Sequence, residues 1–300
     1  MGIAIKLTLL VDLNAVRKNL EYIKARAGVK LLFMVKADAY GHGLRQVAKA
    51  TVDLVDFFGV ATVEEGILLR RSGIVKPILV TIFSELEAVL AVKYGLSVAV
   101  FSEKQIIALH YAVEKLRNKA SRNFCDNKIK SNSASDFEIS NAKVHLKIDS
   151  GMNRLGVKTE EELKQLQKCI STCRNVEVEG CYSHLYNVNE KQYIRFEMLA
   201  KIAKDKFPNA ILHISSSGAV CGNGLDKFDM VRVGIAGYGY GDNNLKPVAE
   251  VVSQVIVAKQ VKIGEHIGYG NFVAEHDCNI AVIFGGYADG ITRSGEGYVE

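Results

Sequence analysis

The sequence predicts an α/β protein: a (β/α)8 barrel of the TIM type, followed by a mainly β C-terminal domain that is incomplete in this chain. Three observations carry that prediction. Short apolar, β-branched runs recur eight times between residues 31 and 235. Amphipathic stretches with helix start and stop residues separate them, the pattern of parallel strands joined by crossover helices. After residue 236 the helical periodicity stops, and β-rich runs punctuated by glycine turns take over. A doubly wound open sheet is the alternative, but no G-x-G-x-x-G follows the first strand to support it.

Composition bounds the answer. A chain of 300 residues, 48% hydrophobic and 24% charged, is long enough for one large domain or two of ordinary size and can bury a sizeable core. A net charge of +5 with both signs interspersed is too mild to argue for nucleic acid. The cysteines (Cys125, Cys169, Cys173, Cys181, Cys221 and Cys278) form no C-x-x-C pair, and Cys169 and Cys173 have no matching histidine pair. No metal site is therefore expected, and the thiols read as reduced, in a cytoplasmic protein. The N-terminus lacks signal-peptide architecture, and no apolar run approaches the roughly 20 residues of a membrane helix.

Taken in order, residues 1–11 read as a strand expected to pack on the β domain. Asp12 has the character of an N-cap. Leu13, Val16, Leu20 and Ile23 follow helical spacing, and Gly28 is the stop. Leu31 to Val35 is the first barrel strand. The others are expected near 57–61, 77–81, 97–101, 143–149, 176–183, 210–216 and 230–235. Thr62, Ser84, Ser102, Thr159 and Asn189 stand at N-cap positions; Glu65, Glu87 and Glu162 lie at capping-box distance from Thr62, Ser84 and Thr159. Gly73 and Gly95 stand at C-cap positions. Residues 118–142, rich in Ser, Asn, Lys and Asp and including Lys128 and Lys130, read as a polar surface insertion before the fifth strand. The barrel is expected over 12–238 and the β domain over 239–300. Within the latter, 248–261 and 280–284 are strand-like, and Gly264, Gly268 and Gly285-Gly286 mark turns.

In such a barrel the chemistry sits at the carboxyl ends of the strands. Lys36 directly follows the first strand. An ordinary lysine there caps the strand in water; a buried one has a lowered pKa and a free amine that attacks aldehydes. Tyr40 and His42 follow, with Gly41 and Gly43 bending the loop. Strand five runs into Asp149-Ser150-Gly151-Met152-Asn153-Arg154, and strand six ends at Ser183-His184. Arg232 lies inside the eighth strand, where a guanidinium must be hydrogen-bonded. Ser215-Ser216-Ser217-Gly218 and the glycine-rich loop from Gly234 have the make-up of a phosphate cradle, although such loops also serve as plain turns. A lysine and a phosphate site across one barrel mouth suggest pyridoxal phosphate.

The stretch Val35-Lys36-Ala37-Asp38-Ala39-Tyr40-Gly41-His42-Gly43 resembles the cofactor-lysine motif of the alanine racemases. The segment from Lys147 to Gly156 resembles their fifth-strand motif, Arg232-Val233-Gly234-Ile235 their eighth-strand motif, Gly268-Tyr269-Gly270 the β-domain motif with its catalytic tyrosine, and Gly286 to Gly290 a further signature. All five occur in family order.

The resemblance implies a set of roles. Lys36 holds pyridoxal 5′-phosphate and serves as one acid/base; Tyr269 is the other, on the opposite face of the substrate α-carbon. Arg232 faces the pyridine nitrogen and is supported by His184. Tyr40, Ser217, Gly234 and Ile235 line the phosphate site. Arg154 orients the substrate carboxylate or the cofactor's phenolic oxygen, and Lys147 matches a lysine carbamylated in some members. Tyr269 serves the neighbouring subunit, so a homodimer is expected. The implied activity is interconversion of L- and D-alanine, supplying D-alanine for peptidoglycan. The chain departs from the family at Ser216-Ser217, where Asn-Ser is usual, and at Leu185-Tyr186-Asn187. It also stops before the Met-Asp motif and the late phosphate-binding tyrosine. The competing readings are a racemase of broader specificity, a decarboxylase on the same barrel, a pyridoxal-phosphate-binding chain without turnover, and a cofactor-free barrel isomerase. An arginine at the ring nitrogen argues against the decarboxylase. Neither nucleic acid nor membrane is expected as a partner.

Overall fold

A computed structural model describes residues 6–125, 139–186, 190–222 and 228–291. It divides into two units: Leu13–Val248, and Met1–Asp12 together with Ala249–Glu300. The smaller unit opens the chain with β1 (Thr8–Val11). The larger begins with α1 (Leu13–Ala27), which ends where Gly28 takes φ +66°.

Eight parallel strands build the larger unit: β2 (Lys30–Met34), β3 (Phe57–Val60), β4 (Ile78–Val80), β5 (Ser97–Val100), β6 (Ala142–Lys147), β7 (Val176–Tyr182), β8 (Ile211–His213) and β9 (Met230–Val233). They pair in the order β8-β7-β6-β5-β4-β3-β2-β9. Across the remaining seam, Asp229 N–H donates to Leu212 O at 2.9 Å and Arg232 N–H to Ser215 O at 3.0 Å, so the barrel is nearly closed. Strands buried on both faces need continuous apolar runs, and β3, β4, β5 and β9 are buried at every residue. Their outward side chains form the main core with the helices. Leu32, Phe57, Leu79 and Met230 fill one side of the barrel interior as a separate apolar cluster.

The connecting helices are α2 (Lys36–Tyr40), α3 (Leu44–Thr51), α4 (Val63–Arg71), α5 (Ala88–Lys93), α6 (Glu103–Cys125), α7 (Glu160–Thr172), α8 (Glu190–Lys206) and α9 (Ser217–Cys221). Capping boxes form at Thr62/Glu65, Ser84/Glu87 and Thr159/Glu162. Ser102 Oγ accepts from Gln105 N–H at 3.4 Å. Gly73 and Gly95 stop their segments at φ +87° and +56°. Asn189 lies outside the described residues.

Two boundaries move. The polar segment expected over 118–142 is helical as far as Cys125, as the end of α6. Extending a formed helix adds one hydrogen bond per residue fixed, so middling helix formers are tolerated there. Arg117 ties this helix down by donating to Ile139 O, Asn175 Oδ1 and Asn141 Oδ1. The rest of that segment, 126–138, lies outside the described residues. Residues 239–248, expected in the β domain, belong to the barrel unit. Buried Asn19 of α1 donates to Gly237 O (3.3 Å) and Lys246 O (2.8 Å) and accepts from Lys246 N–H (2.9 Å), and Leu245 and Val248 join the barrel core.

In the smaller unit β1 pairs antiparallel with β10 (Ala249–Val252), from Thr8 opposite Val252 to Val11 opposite Ala249. β11 (Val255–Val261) pairs antiparallel with β12 (Cys278–Ile283), with an irregularity between Val255 and Val257. Among the described residues no helix is long and apolar enough to cross a membrane, and no group of His, Cys, Asp and Glu is arranged to hold a metal.

Candidate functional site

The chain leaves β2 through a turn of unusual hand. Ala37, Asp38, Ala39 and Tyr40 all have φ between +51° and +55°, a single left-handed turn without a glycine in it. L-residues visit this region singly because Cβ crowds the following carbonyl, at about 1–2 kcal/mol per residue. The surroundings hold it in place. Ala37 N–H donates to Glu65 Oε1 at 2.6 Å, and Asp38 Oδ1 accepts from Leu44 N–H at 2.7 Å. The Tyr238 ring packs against Tyr40 (5.1 Å) and stacks on His42 (4.7 Å). The result fixes Lys36, half-buried, with its Nζ 5.9 Å from the Tyr40 ring centre.

Across the barrel mouth lies Arg232, only 5% exposed. Its Nη1 meets His213 Nδ1 at 2.9 Å; its Nη2 reaches Ser183 O (2.7 Å), His184 Nδ1 (3.2 Å) and Ile214 O (3.3 Å). Among the described residues Nε–H has no partner. Arginine is a donor only, so both histidine nitrogens facing it accept, and both rings are uncharged. Electrostatics agrees: burial and then Arg232 hold His184 at about 3, and the same two causes hold His213 well below the ordinary imidazole range. Burial pushes Arg232 itself down to about 10, which leaves it cationic at neutral pH.

Beside it, Lys147 is 7% exposed, with Nζ 4.1 Å over the Tyr182 ring. Burial first, then the charges of Arg232 and Arg154, press its amine well below the usual lysine range. Arg154 is exposed, in a loop built by Asp149, whose Oδ1 accepts from Gly151 N–H and Asn153 N–H at 3.0 Å each. On the β8 and β9 side, Ser217 Oγ accepts from Gly234 N–H (3.0 Å) and Ala236 N–H (3.3 Å). Gly234 leaves room for Tyr40, since a Cβ there would overlap the Tyr40 hydroxyl.

These groups surround one cavity of about 380 Å³, in the size range of small-molecule sites. Lys36, Tyr40, Arg154, His184, Ser217, Arg232, Gly234 and Ile235, all singled out in the sequence, line it together with Lys147 and Tyr182. Its lining holds four basic side chains and no acidic one, so it suits a ligand carrying several negative charges. Tyr269 is not part of the lining. It sits in the smaller unit, between glycines at φ +67° and +81°, with its side chain fully exposed. Sequence reasoning missed Glu65, Tyr182 and His213. Glu65 was visible only as a capping residue. A polar side chain inside an otherwise apolar parallel strand is the signal that marks His213.

Sequence models of two families match the chain: "Alanine racemase, N-terminal domain" over residues 11–242 and "Alanine racemase, C-terminal domain" over 248–299. An alanine racemase of Cutibacterium acnes is 34% identical, over 97% of this chain and 77% of that protein. One from Treponema denticola is 32% identical, over 95% and 75%. Among solved structures, an alanine racemase of Clostridium difficile superposes with a TM-score of 0.81 at 28% identity, covering 97% of this chain and 76% of that one. One from a D-cycloserine-producing Streptomyces lavendulae gives 0.83 at 26%, covering 97% and 77%.

Proposed function

The chain belongs to the alanine racemase family and is a racemase; from that premise we propose that it interconverts L- and D-alanine with pyridoxal 5′-phosphate held on Lys36, supplying D-alanine for peptidoglycan. The observation that carries this reading is the cavity with Lys36, Lys147, Arg154 and Arg232 in its lining and no carboxylate. A phosphate, a phenolic oxygen and a substrate carboxylate all find positive charge or N–H donors there. The Ser217 hydroxyl, which two main-chain N–H groups leave with its proton to donate, and the Gly234-Ile235 loop are the cradle for the phosphate, beside Tyr40.

When bound, pyridoxal phosphate supplies an aldehyde that joins amines and a conjugated ring that spreads the electron pair left by a departing α-proton. The protein does the rest. Lys36 moves a proton to or from the α-carbon on one face, and Tyr269 of a second copy does so on the other, which is what inversion requires. Arg232 would hold the ring nitrogen through a guanidinium N–H. A guanidinium does not give up that proton, so the nitrogen stays unprotonated and side reactions that need a stronger electron sink are held down. Arg154 orients the substrate carboxylate. The uncharged amine of buried Lys147 is the form that can take up carbon dioxide as a carbamate. The active unit is a homodimer; the fully exposed Tyr269 supports that reading.

Incubating the purified chain with added pyridoxal phosphate and L-alanine tests the reading by chiral assay. D-alanine is expected, together with a visible absorbance band that borohydride removes. The band without D-alanine would leave a cofactor-binding chain only. Comparable turnover of larger amino acids would favour the racemase of broader specificity.

A further inference from the structure

We infer that Glu179, His145 and His213 are positioning residues for Arg232, a one-way hydrogen-bond relay through the barrel interior that ties the guanidinium at the mouth to a carboxylate deeper in the barrel. The inference rests on the role proposed for Arg232. From Arg232 Nη1 the chain runs to His213 Nδ1 (2.9 Å), from His213 Nε2 to His145 Nδ1 (2.8 Å), and from His145 Nε2 to Glu179 Oε2 (3.2 Å). Ser97 Oγ donates to the same carboxylate oxygen, and Lys143 Nζ lies 3.1 Å from the other. Ser97 begins β5, so the relay ends toward the amino ends of the strands.

Both ends of this chain are chemically fixed. Arg232 can only donate and an ionised Glu179 can only accept. His213 therefore accepts at Nδ1 and carries its proton on Nε2. That proton faces His145 Nδ1, which must also accept, leaving the His145 proton on Nε2, toward Glu179. A doubly protonated His145 would set two N–H groups head to head across 2.8 Å. One arrangement of protons satisfies every bond, and all of them point from Arg232 to Glu179.

The fold makes room for this arrangement at a local disruption of its own ladder. Along β6 and β7, Val144 pairs with Val178 and His145 with Gly180, so Glu179 is the extra residue of a bulge, the device that re-aims a side chain. A Cβ at Gly180 would overlap His145 Nδ1. The Tyr182 ring stacks on His213 at 4.9 Å and 6°, and Phe57 meets His145 edge-on at 6.0 Å. The relay also answers a problem in the cavity. Among the described residues every hydrogen-bond partner of Arg232 is a neutral acceptor, yet a carboxylate beside it would repel an anionic ligand. The relay orients the His213 acceptor from behind, with its carboxylate outside the lining.

The first test needs no turnover. Long-range proton–nitrogen NMR of the histidine rings in the full chain, with and without pyridoxal phosphate, should show His145 and His213 both neutral and protonated on Nε2. His145→Asn and His213→Asn variants assign the signals. A proton on Nδ1 of either ring, or a doubly protonated ring, would overturn the relay. The second test is Glu179→Gln, which keeps shape and removes charge. A kcat lower by about ten-fold is expected, with KM changed by less than about two-fold and a shifted absorbance of the bound cofactor. In a His213→Phe background the same change should add nothing. Unchanged spectrum and kcat, or an undiminished effect in that background, would also overturn it. If wild type shows no visible band at all, the cofactor reading fails while the NMR result still decides the relay. The NMR result decides it likewise if Glu179→Gln does not fold.

Discussion

Gly234 touches the proposed phosphate cradle through what it lacks. Gly234→Ala would drive a Cβ into the Tyr40 hydroxyl, and a clash in so closed a site should weaken pyridoxal phosphate binding about ten-fold. The concentration that saturates the visible band measures this; unchanged affinity would show that Tyr40 yields freely. Glu179 makes a pH prediction. Burial pushes its carboxyl up, but hydrogen bonds from His145 and Ser97 and the charge of Lys143 outweigh that and hold it below the ordinary 4.5. A carboxylate held low contributes stability that is complete above 4.5 and is lost as pH falls below it. The melting temperature of wild type should therefore drop more steeply over that window than that of Glu179→Gln, and parallel curves would contradict the assignment. Tyr269→Phe should slow proton removal from one alanine enantiomer more than from the other; equal losses would count against a two-base scheme. Lys36, Arg154, His184, Ser217 and Arg232 were legible in the sequence because each follows or sits in a recognisable strand. His145, Glu179 and His213 were not. They lie on three strands and meet only when the barrel curls, and a bulge aims one of them.

Strands and helix starts were legible because their signals are local. A capping box is complete within a few residues, and a buried parallel strand declares itself by composition. The turn from Lys36 to Tyr40 was not, since nothing at positions 37 to 40 announces a left-handed backbone. Its hand is imposed from outside, by Glu65 and Tyr238. Ala37 is exposed, so Ala37→Gly relieves its Cβ crowding at little other loss and should raise stability by about 1 kcal/mol. A lower melting temperature would show the turn to be unstrained. The domain boundary was misplaced by about ten residues for a related reason. The anchor of 239–248 is Asn19, more than two hundred residues upstream, and no local pattern reveals it. Asn19→Ala leaves Lys246 N–H and O without their partner and should destabilise the barrel unit by about 2 kcal/mol, measured by denaturant unfolding.

The proposed acid/base groups belong to different units, Lys36 to the barrel unit and Tyr269 to the smaller one. The smaller unit exposes Leu9, Leu10, Val251, Ile256, Tyr269 and Phe272, more apolar surface than a solvated β unit needs. The proposed homodimer would cover that surface. Mixing Lys36→Ala and Tyr269→Phe chains, each strongly impaired in racemisation alone, should restore about one quarter of wild-type activity through mixed dimers with one intact site; no recovery would place both residues in one subunit's site. The account depends most on which amine carries the cofactor, because two lysines, Lys36 and Lys147, line the same cavity. Reducing the pyridoxal-phosphate-loaded chain with borohydride and sequencing the labelled peptide decides it. The label is predicted on Lys36; label on Lys147, or none at all, would contradict the account.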